Sequence, residues 1–107
     1  MSVEQYQRTV NSLDKEIAEL EKKKAAADKK TADEAKKSAS VSISKNASAT
    51  TIKSKLNEID RHKKASNKAA TESAEYGKKI ADRRAKRNDA YLKLQKSNKM
   101  NNRLSKN

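Results

Sequence analysis

The sequence predicts an all-α protein, an antiparallel two-helix coiled-coil hairpin with a disordered C-terminal tail. Its 107 residues include no proline and one glycine, Gly77. Folds built from many strands need frequent chain reversals, which such a sequence does not provide. Charged residues make up 38% and hydrophobic residues 33%, and the hydrophobic share lies below the roughly 45–50% of globular domains. This composition favours a two-helix seam over a compact core.

The helical pattern divides the chain into four segments. We predict helix 1 over residues 2–45, a turn at 46–48, helix 2 over 49–96 and a flexible tail over 97–107. Ser2 and Ser48 are suitable N-caps, because a serine hydroxyl can accept from a free N–H two or three residues later. The tail is polar and rich in asparagine, which is typical of a frayed or disordered end.

Apolar residues recur at alternating spacings of three and four in both helices, which is the heptad pattern of a coiled coil. After Leu20 the same frame continues on residues with little apolar area, Lys24, Ala27, Thr31 and Glu34. We expect the apolar positions to form an assembly seam: Val3, Tyr6, Val10, Leu13, Ile17, Leu20, Ile52, Leu56, Ile59, Tyr76, Ile80, Tyr91 and Leu94.

The positions of the apolar residues favour a hairpin. A turn centred near residue 47 places residue i opposite about residue 94 minus i. The expected neighbours are then Val41 and Ile52, Ile17 and Tyr76, Leu13 and Ile80, and Val3 and Tyr91. A single continuous helix in a parallel dimer is less favoured, because it would have to run through the polar stretch 38–51.

The positive charge is concentrated in the second half of the chain. The net charge is +13, and residues 61–107 carry fifteen basic and four acidic groups. Such an excess suits an acidic partner, a nucleic acid or an anionic surface. Membrane-surface binding is disfavoured, because helix 2 has no Trp or Phe. The residues expected to form the basic surface are Lys78, Lys79, Arg83, Arg84, Lys86, Arg87, Lys93 and Lys96.

Nothing in the sequence indicates catalysis, a cofactor or a metal site. There is no cysteine and one histidine, His62. Its neighbours Arg61, Lys63 and Lys64 suggest an imidazole that lies in solvent. No glycine-rich phosphate loop occurs, and the carboxylates are spread along helix faces, without the convergence that acid–base chemistry needs. We therefore expect a protein that is not an enzyme.

The N-terminal residues and the absence of cysteine favour the cytoplasm. Met-Ser-Val-Glu-Gln-Tyr has neither the basic nor the apolar region of a signal peptide. No apolar run approaches the roughly 18–20 residues of a membrane span. A chain without cysteine suits a reducing compartment.

Residues 42–61 read Ser-Ile-Ser-Lys-Asn-Ala-Ser-Ala-Thr-Thr-Ile-Lys-Ser-Lys-Leu-Asn-Glu-Ile-Asp-Arg. This stretch resembles the N-terminal coiled-coil region of bacterial TIR-domain proteins, which carries a similar S-I-x-K-x-x-S-x-x-T-[LI]-K-[ST]-K-L-x-x-I pattern. The runs 13–24 and 78–96 are similar to the same leaders. The resemblance implies a segment that brings TIR domains together by self-association. The TIR domain and its catalytic glutamate are absent here, so the resemblance does not imply NAD cleavage.

The functional expectation is therefore a non-catalytic, coiled-coil self-association or interaction module of a bacterial TIR-type immune or signalling protein. The expected partner is another copy or a partner helix, which would pair with exposed parts of the stripe at Tyr6, Val10, Leu13, Ile80 and Leu94. The alternative is a basic helical protein that binds nucleic acid without sequence specificity. Oligomer size, inter-chain geometry and the choice between a fragment and a natural short form stay open.

Overall fold

The computed structural model describes the backbone of residues 2–106 and the side chains of residues 2–103. Two helices, α1 (Val3–Ser40) and α2 (Ala49–Lys106), make up nearly all of it, and no strand occurs within this range. The helices pair antiparallel through contacts such as Thr31 with Ser66 and Asp14 with Arg87. The predicted all-α hairpin is confirmed.

A reciprocal capping box starts α1. The Ser2 hydroxyl accepts from the N–H of Gln5 at 3.2 Å, and the Gln5 side chain accepts from the N–H of Ser2 at 2.8 Å. Both bonds satisfy backbone donors that have no partner within the helix. The predicted cap at Ser2 is therefore confirmed.

The connection between the helices is longer than the three residues expected, because α1 ends at Ser40 and not near Lys45. Val41 and Ile43 alternate with serines beyond this point, and both residue types favour the helix less than alanine or lysine does. The chain then turns where the N–H of Ala47 donates to the carbonyl of Ser44 at 3.1 Å.

Ser48 caps α2, as predicted. Its hydroxyl accepts from the N–H of Thr51 at 3.2 Å, and its carbonyl accepts from the N–H of Ile52 at 2.9 Å. At its other end α2 continues to Lys106, through most of the segment expected to be a flexible tail. Residues 97–106 contain no Gly or Pro, so no residue type in them forces the helix to stop. Asn107 lies outside the described residues.

The hairpin divides into two compact units, which we describe separately. The turn unit is Lys23–Glu75, and the terminal unit is Met1–Lys22 with Tyr76–Asn107. Each unit pairs a stretch of α1 with a stretch of α2.

The heptad frame runs without interruption along both helices. The residues shielded from solvent in this frame are Val3, Tyr6, Val10, Leu13, Ile17, Leu20, Lys24, Ala27, Thr31, Glu34 and Ser38 in α1, and Ile59, His62, Ser66, Ala69, Ser73, Tyr76, Ile80, Arg83, Arg87, Ala90, Leu94 and Ser97 in α2. All spacings are three or four, as in a coiled-coil seam. The frame that loses its apolar residues after Leu20 therefore still faces inward.

The apolar core is thin. Among the described residues, the buried apolar side chains are Val10, Leu20, Ala27, Ala69, Ile80, Ala90 and Leu94. Three of these seven are alanines, which contribute little buried area. Helix propensity and polar contacts must therefore supply part of the stability.

The register of the turn unit differs from the expected one by three residues. The Ser66 hydroxyl donates to the carbonyl of Thr31 at 2.9 Å, and the Ser38 hydroxyl approaches the carbonyl of Ile59 at 3.5 Å. In both pairs the residue numbers add to 97 and not to 94. Ser40 therefore lies level with residue 57, so the first two turns of α2 extend past the end of α1. The expected register was wrong because it assumed a tight turn at residue 47, whereas the connection spans eight residues.

The terminal unit shows a similar shift. Arg87 contacts Asp14 at 3.1 Å, and Arg83 contacts Glu16 at 2.6 Å. A third pair, Arg84 with Glu21 at 2.7 Å, is offset further in the same direction. Counting back along α1 from all three pairs places Val3 level with a residue beyond Tyr91, and not with Tyr91 as expected. The last turns of α2 therefore extend past the start of α1. Neither described helix has an apolar stretch long enough to cross a membrane.

Candidate interaction surfaces

The seam of the turn unit is mostly polar. Its inward positions carry Lys24, Ala27, Thr31, Glu34 and Ser38 from α1, and Ile59, His62, Ser66, Ala69 and Ser73 from α2. No buried side-chain nitrogen or oxygen in the described residues lacks a hydrogen-bond partner. The seam therefore satisfies its polar groups internally, as burial of such groups requires.

One polar cluster joins Lys24, Asp28 and Ser73. The Lys24 ammonium lies 3.1 Å from Asp28 Oδ2 and 3.2 Å from Ser73 Oγ. The Ser73 hydroxyl, which is buried, donates to Asp28 Oδ1. The hydrogen bond from Ser73, followed by that from Lys24, holds the pKa of Asp28 below its usual range.

The second polar cluster pairs His62 with Glu34. His62 Nδ1 lies 2.6 Å from Glu34 Oε2, and Lys37 approaches the other oxygen of Glu34 at 3.6 Å. Both the imidazole and the carboxylate are only 16% exposed. The hydrogen bond from His62 is the main reason that the pKa of Glu34 lies below its usual range, with Lys37 adding to the effect.

The expectation that His62 lies in solvent was therefore wrong. The charged neighbours in sequence point elsewhere on the helix, while position 62 lies on the inward side, three residues after Ile59 and four before Ser66. The heptad frame, extended from Ile59, is the signal that would have identified this position.

Three arginines of α2 form interhelical ion pairs in the terminal unit. Arg83 Nε lies 2.6 Å from Glu16, Arg84 lies 2.7 Å from Glu21, and Arg87 Nε lies 3.1 Å from Asp14. Glu16, and secondarily Asp82, raises the pKa of Arg83 above its already high usual value. These arginines link the two helices, Arg83 and Arg87 from inward positions of the frame and Arg84 from an exposed position beside it.

Two lysines of the expected basic surface are paired within α2. Lys86 lies 3.3 Å from Asp82, and Lys93 lies 3.1 Å from Asp89. The pKa of Asp82 is lowered, first by Lys86 and then by Arg83, and Asp89 raises the pKa of Lys93. Much of the charge of this surface is therefore compensated.

The other three residues of the expected basic surface are exposed lysines. The Lys79 ammonium lies 5.8 Å from the ring centre of Tyr76. Lys78 and Lys96 have no carboxylate within ion-pair distance among the described residues. Among the described residues, five side chains of the expected basic surface therefore have a carboxylate partner, and these three lysines have none.

The thirteen residues expected to form the assembly seam fall into three groups. Val10, Leu20, Ile80 and Leu94 are buried, whereas Val3, Tyr6, Leu13, Ile17, Ile59 and Tyr76 are partly buried, and Ile52, Leu56 and Tyr91 are exposed. The suggestion that Val10, Ile80 and Leu94 stay free to pair with another chain was wrong, because the hairpin itself buries them. Tyr91 lies outside the frame, and Arg87 covers its ring at 4.8 Å.

Among the described residues, large apolar side chains stay exposed in both units. In the turn unit these are Ile43, Ile52 and Leu56, with exposed fractions of 39%, 38% and 53%. In the terminal unit Leu92 and Met100 are exposed as well. Sequence reasoning missed Ile43, Leu92 and Met100 as exposed surface, because none of them belongs to a continuous apolar stripe.

No cluster of His, Asp and Glu that could hold a metal ion occurs among residues that the structure describes. Compared with protein-family models, with curated proteins and with solved structures, the chain gives no match.

Proposed function

We propose that this chain is a non-catalytic interaction module, a coiled-coil hairpin that associates with further copies of itself. The observation that carries the proposal is the exposure of Ile52 and Leu56 on the first two turns of α2. Ile52 lies seven residues before Ile59 and so continues the heptad frame of the seam. The register places no α1 residue opposite it.

A seam position with no α1 residue opposite it can pack against a helix from a second copy. Ile52 and Leu56 are four residues apart, so they lie on one side of α2. An added helix that packs against this side of α2 can bury both, with Ile52 at a position of the seam frame and Leu56 next to that frame. The thin core supports the proposal, because a hairpin with so few large buried side chains gains much from further burial.

The resemblance of residues 42–61 extends the proposal. On that basis the chain is a module of the kind that precedes a TIR domain in bacterial immune or signalling proteins of the cytoplasm. Its part in such a protein would be to bring copies together.

Light scattering after size-exclusion chromatography, together with circular dichroism, tests the association. We expect a mass that rises with concentration to a multiple of the 12.0 kDa chain. The double variant Ile52→Gln/Leu56→Gln should have the monomer mass and unchanged helicity, because both side chains are exposed and outside the hairpin's own core.

Two further variants serve as controls, one for the exposed surface and one for the seam. Leu92→Gln removes an apolar side chain of the terminal unit that is 61% exposed. This variant should leave the mass unchanged. Leu13→Asp, at a partly buried seam position, should lower helicity and mass together. A wild-type protein that is fully helical and monomeric at every concentration would rule out self-association, and an equal loss in Leu92→Gln would rule out this surface.

A further inference from the structure

We infer that the last turns of α2, Gln95–Arg103, bind the phosphate backbone of a nucleic acid. We call this stretch the terminal basic segment. It overlaps the basic surface expected from the sequence only at Lys96. The inference is independent of the proposed self-association, which rests on the turn unit.

The terminal basic segment is open to a partner on nearly every side. Ser97 is partly buried, and every other side chain from Gln95 to Arg103 is exposed. The register of the terminal unit is consistent with this exposure, because all three interhelical ion pairs place Val3, the first residue of α1, level with a residue beyond Tyr91. Beyond that level α2 has no α1 residue beside it.

The charge of the segment is not compensated. Lys96, Lys99 and Arg103 have no carboxylate partner in the part of the chain that the structure describes, and the sequence has no acidic residue after Asp89. Asp89 is itself held by Lys93 at 3.1 Å. Arg83, Arg84 and Arg87 differ in this respect, because carboxylates of α1 occupy them. Binding a polyanion here therefore breaks no interhelical ion pair.

The three cations also share one side of the helix. Lys96, Lys99 and Arg103 follow one another at spacings of three and four, so their side chains project together. Arg103 lies seven positions after Lys96, which is about 10 Å along the helix at 1.5 Å per residue. Successive phosphates of a duplex strand are separated by a few ångströms along the axis, so this row of cations can follow one strand.

The remaining side chains favour a nucleic acid over a lipid surface. Between Gln95 and Arg103 only Met100 is apolar, and the others are Gln, Lys, Ser, Asn and Arg. Phosphate oxygens accept hydrogen bonds from all of these side chains. A helix that lies on a membrane needs a continuous apolar face, which this stretch lacks.

Fluorescence anisotropy with a labelled random duplex of about 20 base pairs tests the inference in the full chain. Three phosphate contacts predict a fall in affinity of about 40-fold between about 50 and 200 mM salt. The triple variant Lys96→Gln/Lys99→Gln/Arg103→Gln should bind more weakly at low salt. The magnitude of its logarithmic salt slope should decrease by about 3.

The matched control is Lys15→Gln/Lys22→Gln/Lys29→Gln, which removes the same charge from exposed, heptad-spaced positions of α1. Lys15 and Lys29 each have a carboxylate four residues later, at Glu19 and Asp33. We expect the control to retain most of the binding. Equal loss in both variants would assign the effect to net charge alone.

Absence of duplex binding by the wild type at about 50 mM salt would overturn the inference. Vesicles of phosphatidylserine and phosphatidylcholine serve as the second probe. Binding to these vesicles without binding to the duplex would overturn it as well, in favour of a membrane surface.

Discussion

His62 Nδ1 lies 2.6 Å from Glu34 Oε2 across the seam of the turn unit. The two residues form a polar layer at inward positions of the heptad frame, where a polar side chain costs stability but selects one register. A slip of one heptad would place His62 opposite Ala27 or Val41, neither of which offers a side-chain acceptor. The pair therefore favours the observed alignment over its nearest alternatives.

The His62–Glu34 pair should show coupling in a double-mutant cycle. We expect His62→Gln and Glu34→Gln each to lower the melting temperature, because each leaves a partly buried polar group without its best partner. The double variant should lose less than the sum of the two, as expected for residues in direct contact. Thermal unfolding followed by circular dichroism measures this. Lys68→Gln, at an exposed position, is the control, and strictly additive losses would contradict the contact.

Acid should destabilise the hairpin through Asp28 and Glu34. The folded state lowers the pKa of both carboxyls, so their contribution is fully present above their unfolded values of about 4. It is lost as the pH falls through the lower folded values. The melting temperature should therefore drop at acidic pH. In Asp28→Asn this drop should be smaller, and an unchanged acid profile in that variant would contradict the role of the carboxyl.

Leu20 should contribute more to stability than any exposed leucine. It is 9% exposed and belongs to the few large side chains of the core, so Leu20→Ala should cost about 2–5 kcal/mol of unfolding free energy. The control Leu92→Ala lies on the surface and should change it by less than about 0.5 kcal/mol. Urea unfolding of both variants measures the two changes in unfolding free energy. Similar values for the two would mean that the seam does not include Leu20.

Ser48 should stabilise the start of α2. Its hydroxyl accepts from the N–H of Thr51, and Ser48→Ala should therefore cost about 1 kcal/mol. Ser48→Asp should restore the bond and most of the loss. Ser54→Ala, at an exposed position inside α2, should be neutral or slightly stabilising because alanine favours the helix. Equal effects at both serines, measured by urea unfolding, would exclude a capping role.

The sequence predicts the hairpin well where apolar residues mark the frame. From Val3 to Leu20 every inward position of the frame is an apolar residue, so hydropathy alone identifies the inward side. In the middle of the molecule the inward positions hold Lys24, Glu34 and His62. These residues give no hydropathy signal. Only the phase of the frame shows where they point, carried forward from Leu20 in α1 and from Ile59 in α2.

The paired arginines and the exposed apolar side chains could not be predicted from spacing within one helix. Whether Arg84 binds Glu21 depends on the register between helices, which follows from the length of the connection after Ser40. Leu56 and Tyr91 are apolar but lie off the frame, so treating every apolar residue of α2 as seam placed them wrongly. The true frame of α2 passes through small and charged residues such as Ser73 and Arg87.

Because the heptad frame is unbroken, it limits how the lengths of α1 and α2 can change. Removing seven residues from α1 and seven from the facing stretch of α2 would keep every remaining inward residue inward. Removing a single residue from one helix would rotate everything beyond it by about 100° and turn a charged side toward the partner. Insertions and deletions in multiples of seven are therefore the ones that this architecture tolerates.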